Sequence, residues 1–312
     1  MIIVDAHCDT ITRLMETKEN LIRNNCHVDI ERMKQKGSYV QFFAAFISPE
    51  YCQAYAMKRA MQIIDKFYQQ IEIYSDNIMS CCNYRDIENA VSSSKVAAIL
   101  SIEGGDALQG DLSALRMFYR LGVRSLCLTW NHRNEIADGV ADGITGGGLT
   151  PFGRDVIMEM NRLGMIVDVS HLSERGFWDV VEISGQPIIA SHSNAKSVCS
   201  HRRNLTDEQI LALKNNGGVM GMNLCPAFLT NEGEASLKDV INHIEHIASV
   251  GGIDIIGIGA DFDGIDDTPR EIKGVENIDG IFNELLKLNY PQEAVDKIAG
   301  GNFLRVIRQV LK

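Results

Sequence analysis

Short apolar, β-rich runs recur along the chain at residues 2–7, 40–46, 96–103, 123–130, 165–171, 187–192, 218–223 and 255–261. They are near-continuous in apolar residues rather than alternating, as in strands of a parallel sheet covered on both faces. Between them lie amphipathic stretches at 52–74, 112–121, 151–163, 174–183, 206–215 and 237–250. Thr150 followed by Pro151 reads as a cap with a first-turn proline. Thr206, three residues ahead of Gln209, reads as a capping box. Strands alternating with helices in this number predict an α/β fold, a (β/α)8 TIM barrel. Residues 277–312 are expected to add C-terminal helices packed outside the barrel. Residues 10–37, mostly polar, are expected to form an irregular loop with a short helix. No Pro- or Ser-rich linker and no repeat divides the chain, so one domain over 1–312 is expected. A doubly wound open sheet competes, but it usually carries a glycine-rich phosphate turn after its first strand. Here that strand runs into Cys8-Asp9-Thr10.

The formal net charge of -11 and pI of about 5.2 argue against nucleic acid as a partner, because phosphate binding wants a basic face. No apolar run reaches the roughly 18 residues that span a bilayer, and no basic, apolar leader precedes the first strand. The eight cysteines form no CxxC pair, so no disulfide framework or zinc ribbon is expected. A reduced, cytoplasmic protein without a membrane anchor is the reading.

The ends of the runs carry the chemistry. The first ends in His7-Cys8-Asp9; in extended chain His7 and Asp9 point to one side and Cys8 to the other. The third ends in Glu103-Gly104-Gly105, the fifth in Asp168-Val169-Ser170-His171, the sixth in Ser191-His192-Ser193, the last in Asp261-Phe262-Asp263-Gly264. In a parallel barrel these ends open on one face, where active sites sit. Imidazoles and carboxylates converging there suit divalent ions, a pair better than one, since a bridging carboxylate can hold two about 3.5–4 Å apart. A single histidine at a strand end is more often structural; the weight lies in five such residues at the same end of four strands. His243 and His246, on a helix among charged residues, read as solvated. His27 reads as structural, His201 as surface, and residues 134–148 as a flexible glycine-rich rim.

These residues resemble the membrane (renal) dipeptidase family of zinc peptidases, amidohydrolase-like barrels. The matching motifs are DAHCDT at the start, SIEGG at 101–105, DVSH at 168–171, SHSNA at 191–195, RRN at 202–204 and GADFDG at 259–264, in family order. The resemblance implies two Zn2+ ions: His7 and Asp9 on one, His171 and His192 on the other, Glu103 bridging. It implies that Asp261 handles the proton of the attacking water and that Arg203 grips the substrate's free carboxylate, a task suited to a guanidinium fork. Two positions depart from the mammalian pattern. Trp130 stands where a histidine polarises the scissile carbonyl, leaving His132, two residues on, as the substitute. Phe228 stands where a tyrosine lies near the substrate. Trp130 and Phe228 are therefore expected to shape substrate binding.

The expected activity is hydrolysis of a dipeptide by water activated between two zinc ions, in a protein the resemblance suggests is a homodimer. The nearest alternative is another amidohydrolase acting on an N-acyl amino acid or lactone. A non-catalytic protein with a vestigial metal site would not be expected to keep the whole ligand set and Asp261. A sugar-phosphate barrel enzyme would want a phosphate-binding glycine turn after its late strands, and none is evident.

Overall fold

The computed structural model describes residues 1–312, the side chain of Gln53 excepted. Nine parallel strands form it: β1 Ile2–Cys8, β2 Ser38–Phe46, β3 Ile78–Ser80, β4 Val96–Glu103, β5 Val123–Cys127, β6 Ile166–Asp168, β7 Ile189–Ala190, β8 Val219–Met222 and β9 Ile256–Ile258. Eight of them pair in the order β2-β1-β9-β8-β7-β6-β5-β4, and β2 closes on β4 from Val40↔Ala97 to Phe46↔Glu103. This is the (β/α)8 barrel the alternation predicts. The ninth, β3, lies outside the ring against the first residues of β4, Ile78↔Val96 to Ser80↔Ala98. At three residues it is too short for periodicity to reveal.

Side-chain alternation sorts the core into two layers. Val4, Val40, Phe42, Ala97, Ile99, Ile166, Ile189 and Val219 fill the barrel interior, while Ile3, Phe43, Leu100, Leu126, Val167 and Met220 face the surrounding helices. Along β4 the period of two carries 97 and 99, apolar and low in the barrel, up to Ser101 and Glu103 at its mouth. In β1, Asp5 pairs Gln41 but Cys8 pairs Phe43. Three residues on one strand thus face two on the other. This bulge resets the alternation, so His7 turns inward after Ala6, and Asp9 follows.

The helices at Pro151–Leu163 and Glu174–Ile183 match expectation. Thr150 accepts from Gly153 N, and Thr206 and Gln209 form their capping box. Residues 10–37 hold two helices, Thr10–Thr17 and Ile30–Gln35, and a further helix, Tyr84–Ser92, was not expected. Several predicted strands end early. Asp168 shows why: its Oδ1 accepts the backbone N–H groups of Ser170 and Ser191, both at 3.0 Å. Side-chain bonds replace ladder bonds there, and the chain leaves the sheet.

The tail corrects the expectation of helices packed only outside. Its last helix, Asn302–Val310, places Phe303, Val306, Ile307 and Val310 in the interior cluster with Val4, Phe42 and Val219. The i, i+3, i+4, i+7 spacing makes that stripe, and it seals the N-terminal mouth. Gly257 of β9 makes room, since a Cβ there would stand 2.3 Å from the Phe303 ring. All eight cysteines are free. Among the described residues, no helix is long and apolar enough to cross a membrane.

Candidate metal centre

At the C-terminal mouth the structure gathers His7, Asp9, Glu103, His171, His192 and Asp261 into overlapping triads, each with ligand atoms within 4.8 Å of one another. His7 Nε2 stands 3.3 Å from Asp9 Oδ2, 3.4 Å from Glu103 Oε2 and 3.8 Å from Asp261 Oδ1. The other carboxylate oxygen, Glu103 Oε1, lies 2.9 Å from His171 Nε2 and 3.5 Å from His192 Nε2. Glu103 thus sits between two sets of donors.

The imidazoles are held from behind. His171 Nδ1 lies 2.9 Å from Asn131 Oδ1, and His192 Nδ1 lies 2.7 Å from Ser191 Oγ. Ser191 Oγ gives its own hydrogen to Asp168 Oδ2, so toward His192 it accepts. Both rings therefore carry hydrogen on Nδ1 and turn an Nε2 lone pair to the centre. The two Nε2 atoms are 2.9 Å apart, converging on one point as ligands to one cation do.

Electrostatics point the same way. Burial opposes charge on Glu103, yet the positive charge of His7 holds its carboxyl well below the usual range. Burial also opposes charge on His7, but Glu103 and Asp9 raise it well above the ordinary imidazole value. Burial, with Arg203 nearby, pushes His171 down to about 4; burial and the His7 charge keep His192 low as well. Burial and then the Glu103 charge raise Asp9 to about 6. Burial raises Asp261 to about 7 despite His7. Three carboxylates buried this close repel one another, and Asp9 Oδ1 is buried without a hydrogen-bond partner. Oxygen and imidazole donors with an orphaned carboxylate oxygen fit divalent cations of the zinc type.

Asp261 sits at φ +62° and Asp263 at +68°, left-handed conformations that non-glycine residues seldom adopt. Asp263 is fixed by Thr10 Oγ1 at 2.6 Å and His27 N at 2.6 Å. His27 is structural, as read. Asp261 Oδ2 accepts from Asn223 Nδ2 at 2.9 Å. Asn131 and Asn223 escaped the sequence reading. Asn223 closes a predicted strand, so the test applied to the other strand ends would have flagged it; Asn131, in a loop, offered no such signal.

The remaining predicted residues fall around the cluster. Trp130 and Phe46, ring centroids 5.5 Å apart, wall a cavity of about 220 Å³ that opens on Asp9, Glu103, His171 and Asp261. His132 lies apart. Strand β5 ends at Cys127, so no strand alternation carries His132 to the mouth, and its side chain is 67% exposed. Arg203 is buried; its terminal nitrogens donate to Ser170 O and, at 3.1 Å, to His192 O, while Nε has no partner. Phe228 lies beneath that guanidinium at 5.5 Å and stacks on His201 at 4.5 Å. Two minor readings change. His243 is fully buried, taking Ala195 N on Nδ1 and facing Leu229 O through Nε2, each at 3.1 Å. Asp138, read as part of a flexible rim, is buried and accepts from Arg133 Nη2 at 2.9 Å.

The sequence profile of the membrane dipeptidase family (peptidase family M19) matches residues 1–312. An uncharacterized protein in the pqqA 5' region of Klebsiella pneumoniae is 36% identical over 263 residues, 79% of this chain and 97% of that protein. The dipeptidase tcpJ of Claviceps purpurea is 33% identical over 298 residues, 91% of this chain and 69% of that one. A crystal structure of a metallo peptidase from Rhodobacter sphaeroides, liganded with a phosphinate mimic of the dipeptide L-Ala-D-Ala, superposes with a TM-score of 0.92 at 27% identity, covering 99% of each chain.

Proposed function

The chain belongs to the membrane dipeptidase family and is a metallo-dipeptidase, a hydrolase, and from that premise we propose that it cleaves free dipeptides at a pair of zinc ions. His7 and Asp9 would hold one, His171 and His192 the other, and Glu103 both. The observation that carries this reading is the position of Glu103, one oxygen turned to His7 and the other to His171 and His192. Bound there, the cations would supply Lewis acidity, polarising a carbonyl and lowering the pKa of water.

This chain's residues supply the rest. Asp261, raised to about 7 by burial, can accept a proton from water at neutral pH and hand it to the leaving amine. Asn223 steadies it through Oδ2 and leaves Oδ1 toward His7. Arg203 receives the substrate's C-terminal carboxylate. Its Nε is unpartnered, and each terminal nitrogen keeps a second hydrogen beyond the one given to a carbonyl. Phe228 supports the guanidinium from below. Trp130 and Phe46 form an apolar wall that excludes water from one side of the peptide bond. That the Rhodobacter sphaeroides relative holds a phosphinate mimic of a dipeptide supports this substrate class.

The test is elemental analysis of the purified protein paired with a substrate panel. Two zinc ions per chain and turnover of free dipeptides, with C-terminally amidated ones spared, are expected. Faster turnover of N-acyl amino acids or lactones would overturn the proposed substrate, and a single ion per chain the bridging role of Glu103.

A further inference from the structure

Asp168 is buried at the end of β6, and four donors converge on its carboxylate. Oδ1 accepts the backbone N–H groups of Ser170 and Ser191, each at 3.0 Å, and the Ser170 hydroxyl at 2.7 Å. Oδ2 accepts the Ser191 hydroxyl. Ser170 precedes His171 in the chain and Ser191 precedes His192. One carboxylate thus ties together the two loops that carry the second pair of imidazoles. The Ser170 oxygen adds a further tie, accepting from His192 N at 3.1 Å.

Each hydroxyl has a single hydrogen, and a carboxylate has none. Ser170 and Ser191 both give theirs to Asp168, so the contact between their own oxygens, 3.1 Å, carries no hydrogen. Ser191 Oγ is left as an acceptor 2.7 Å from His192 Nδ1. The hydrogen between those two atoms is therefore the ring's. In a neutral imidazole the other nitrogen is then bare. That nitrogen, His192 Nε2, is the one that stands 2.9 Å from His171 Nε2 and 3.5 Å from Glu103 Oε1.

We propose that Asp168 is a positioning residue that sets the tautomer of His192: acting through Ser191, it keeps the ring hydrogen on Nδ1 and leaves Nε2 free to hold a cation. The consequence for ligation rests on the metallo-dipeptidase reading; the tautomer itself rests on the hydrogen-bond chain alone. An amide of the same shape would reverse that chain. In Asp168→Asn the oxygen stays on the Oδ1 side, where three donors face it, so the NH2 faces Ser191. Ser191 Oγ then accepts from the amide and must send its hydrogen elsewhere. His192 Nδ1 at 2.7 Å is a nearer outlet than Ser170 Oγ at 3.1 Å. The ring hydrogen moves to Nε2 and blocks the cation. An exchange of this kind can preserve geometry and still disable a site through the wrong tautomer.

The test reads the tautomer by nitrogen NMR of 15N-histidine-labelled protein, zinc-loaded and stripped of metal, and zinc affinity by competition with a chelator. Native protein is expected to show hydrogen on His192 Nδ1 in both forms. Asp168→Asn is expected to show it on Nε2 in the stripped form and to bind one of its two zinc ions about 100-fold more weakly. Ser191→Ala, which removes the relay without inverting it, should cost about tenfold. Adding Ser191→Ala to Asp168→Asn should bring affinity back toward that of Ser191→Ala alone, whereas losses from a merely structural role would accumulate. Hydrogen on Nε2 in the stripped native chain would overturn the proposal, as would hydrogen kept on Nδ1 in Asp168→Asn or losses that add in the double variant. If native protein binds no zinc, the metal reading fails, while a hydrogen that moves from Nδ1 to Nε2 in Asp168→Asn still upholds the relay.

Discussion

The two mouths of the barrel are built from the same eight strands and could hardly differ more. The N-terminal mouth is closed by Phe303, Val306, Ile307 and Val310 over Val4, Phe42, Ile99 and Val219. The C-terminal mouth buries Asp9, Glu103, His7, His171 and His192 within a few ångströms of one another. One end gains from removing apolar surface from water. The other concentrates charge that is costly to bury without a countercharge. In β4 the change takes place within one strand, where the inward positions run Ala97, Ile99, Ser101, Glu103. The lesson is a division of labour along each strand: the floor stabilises the barrel, and the stability it supplies supports a strained, charged rim.

The sharpest way to break that division is to change each mouth and look for the effect at the other. Glu103→Gln should lower kcat/KM by about a thousandfold or more, because it removes the negative charge that faces both donor sets. Metal content by elemental analysis should fall with it, while the barrel stays folded. Phe303→Ala at the floor should do the opposite. It is expected to cost about 3–5 kcal/mol in denaturant unfolding, with turnover per folded molecule near native. A large loss of turnover in a folded Phe303→Ala protein would show that the two ends are coupled.

Smaller changes test how the rim is held. His243 props the loop after His192, and burial pushes it down from 6.5 to about 4. The folded protein keeps this imidazole neutral where the unfolded chain takes a proton. Its contribution is therefore complete above about pH 6.5 and drains away as pH falls toward 4, by about 3 kcal/mol in all. His243→Gln should flatten that part of the slope when urea midpoints at pH 7 and pH 5 are compared with those of the native chain. Least disruptive, Asn131→Ala removes the partner of His171 Nδ1 and should weaken metal binding by about 10–100-fold, read by competition with a chelator. Asn131→Asp, which keeps an acceptor, should recover most of it; no loss in Asn131→Ala would mean that packing alone orients the ring.

The barrel was legible because strand and helix periodicities are local, and eight apolar runs separated by amphipathic stretches leave few ways to cover a parallel sheet. The six residues of the cluster were legible for a related reason: parallel strands all end on one face, so polar residues at strand ends must meet. Asn131 and His243 gave no such sign, and Asn223, though it closes a predicted strand, was passed over. Their partners are His171, Ala195 and Asp261, distant in sequence by 40, 48 and 38 positions. His243 misled because charged neighbours along its helix describe the exposed faces, whereas its own face turns inward between two backbone groups.

What the amino-acid order determined by itself is the architecture and the mouth at which the chemistry gathers, since both follow from periods of two and 3.6 residues repeated along the chain. Only the tertiary structure decided which nitrogen of each imidazole faces the centre and that a bulge in β1 turns His7 inward. It also decided that the last helix seals the floor and that Asp168 holds the loops of both His171 and His192. Those outcomes depend on which side chains from distant segments come within hydrogen-bond and Coulomb range, and that distance is set by packing rather than by order along the chain.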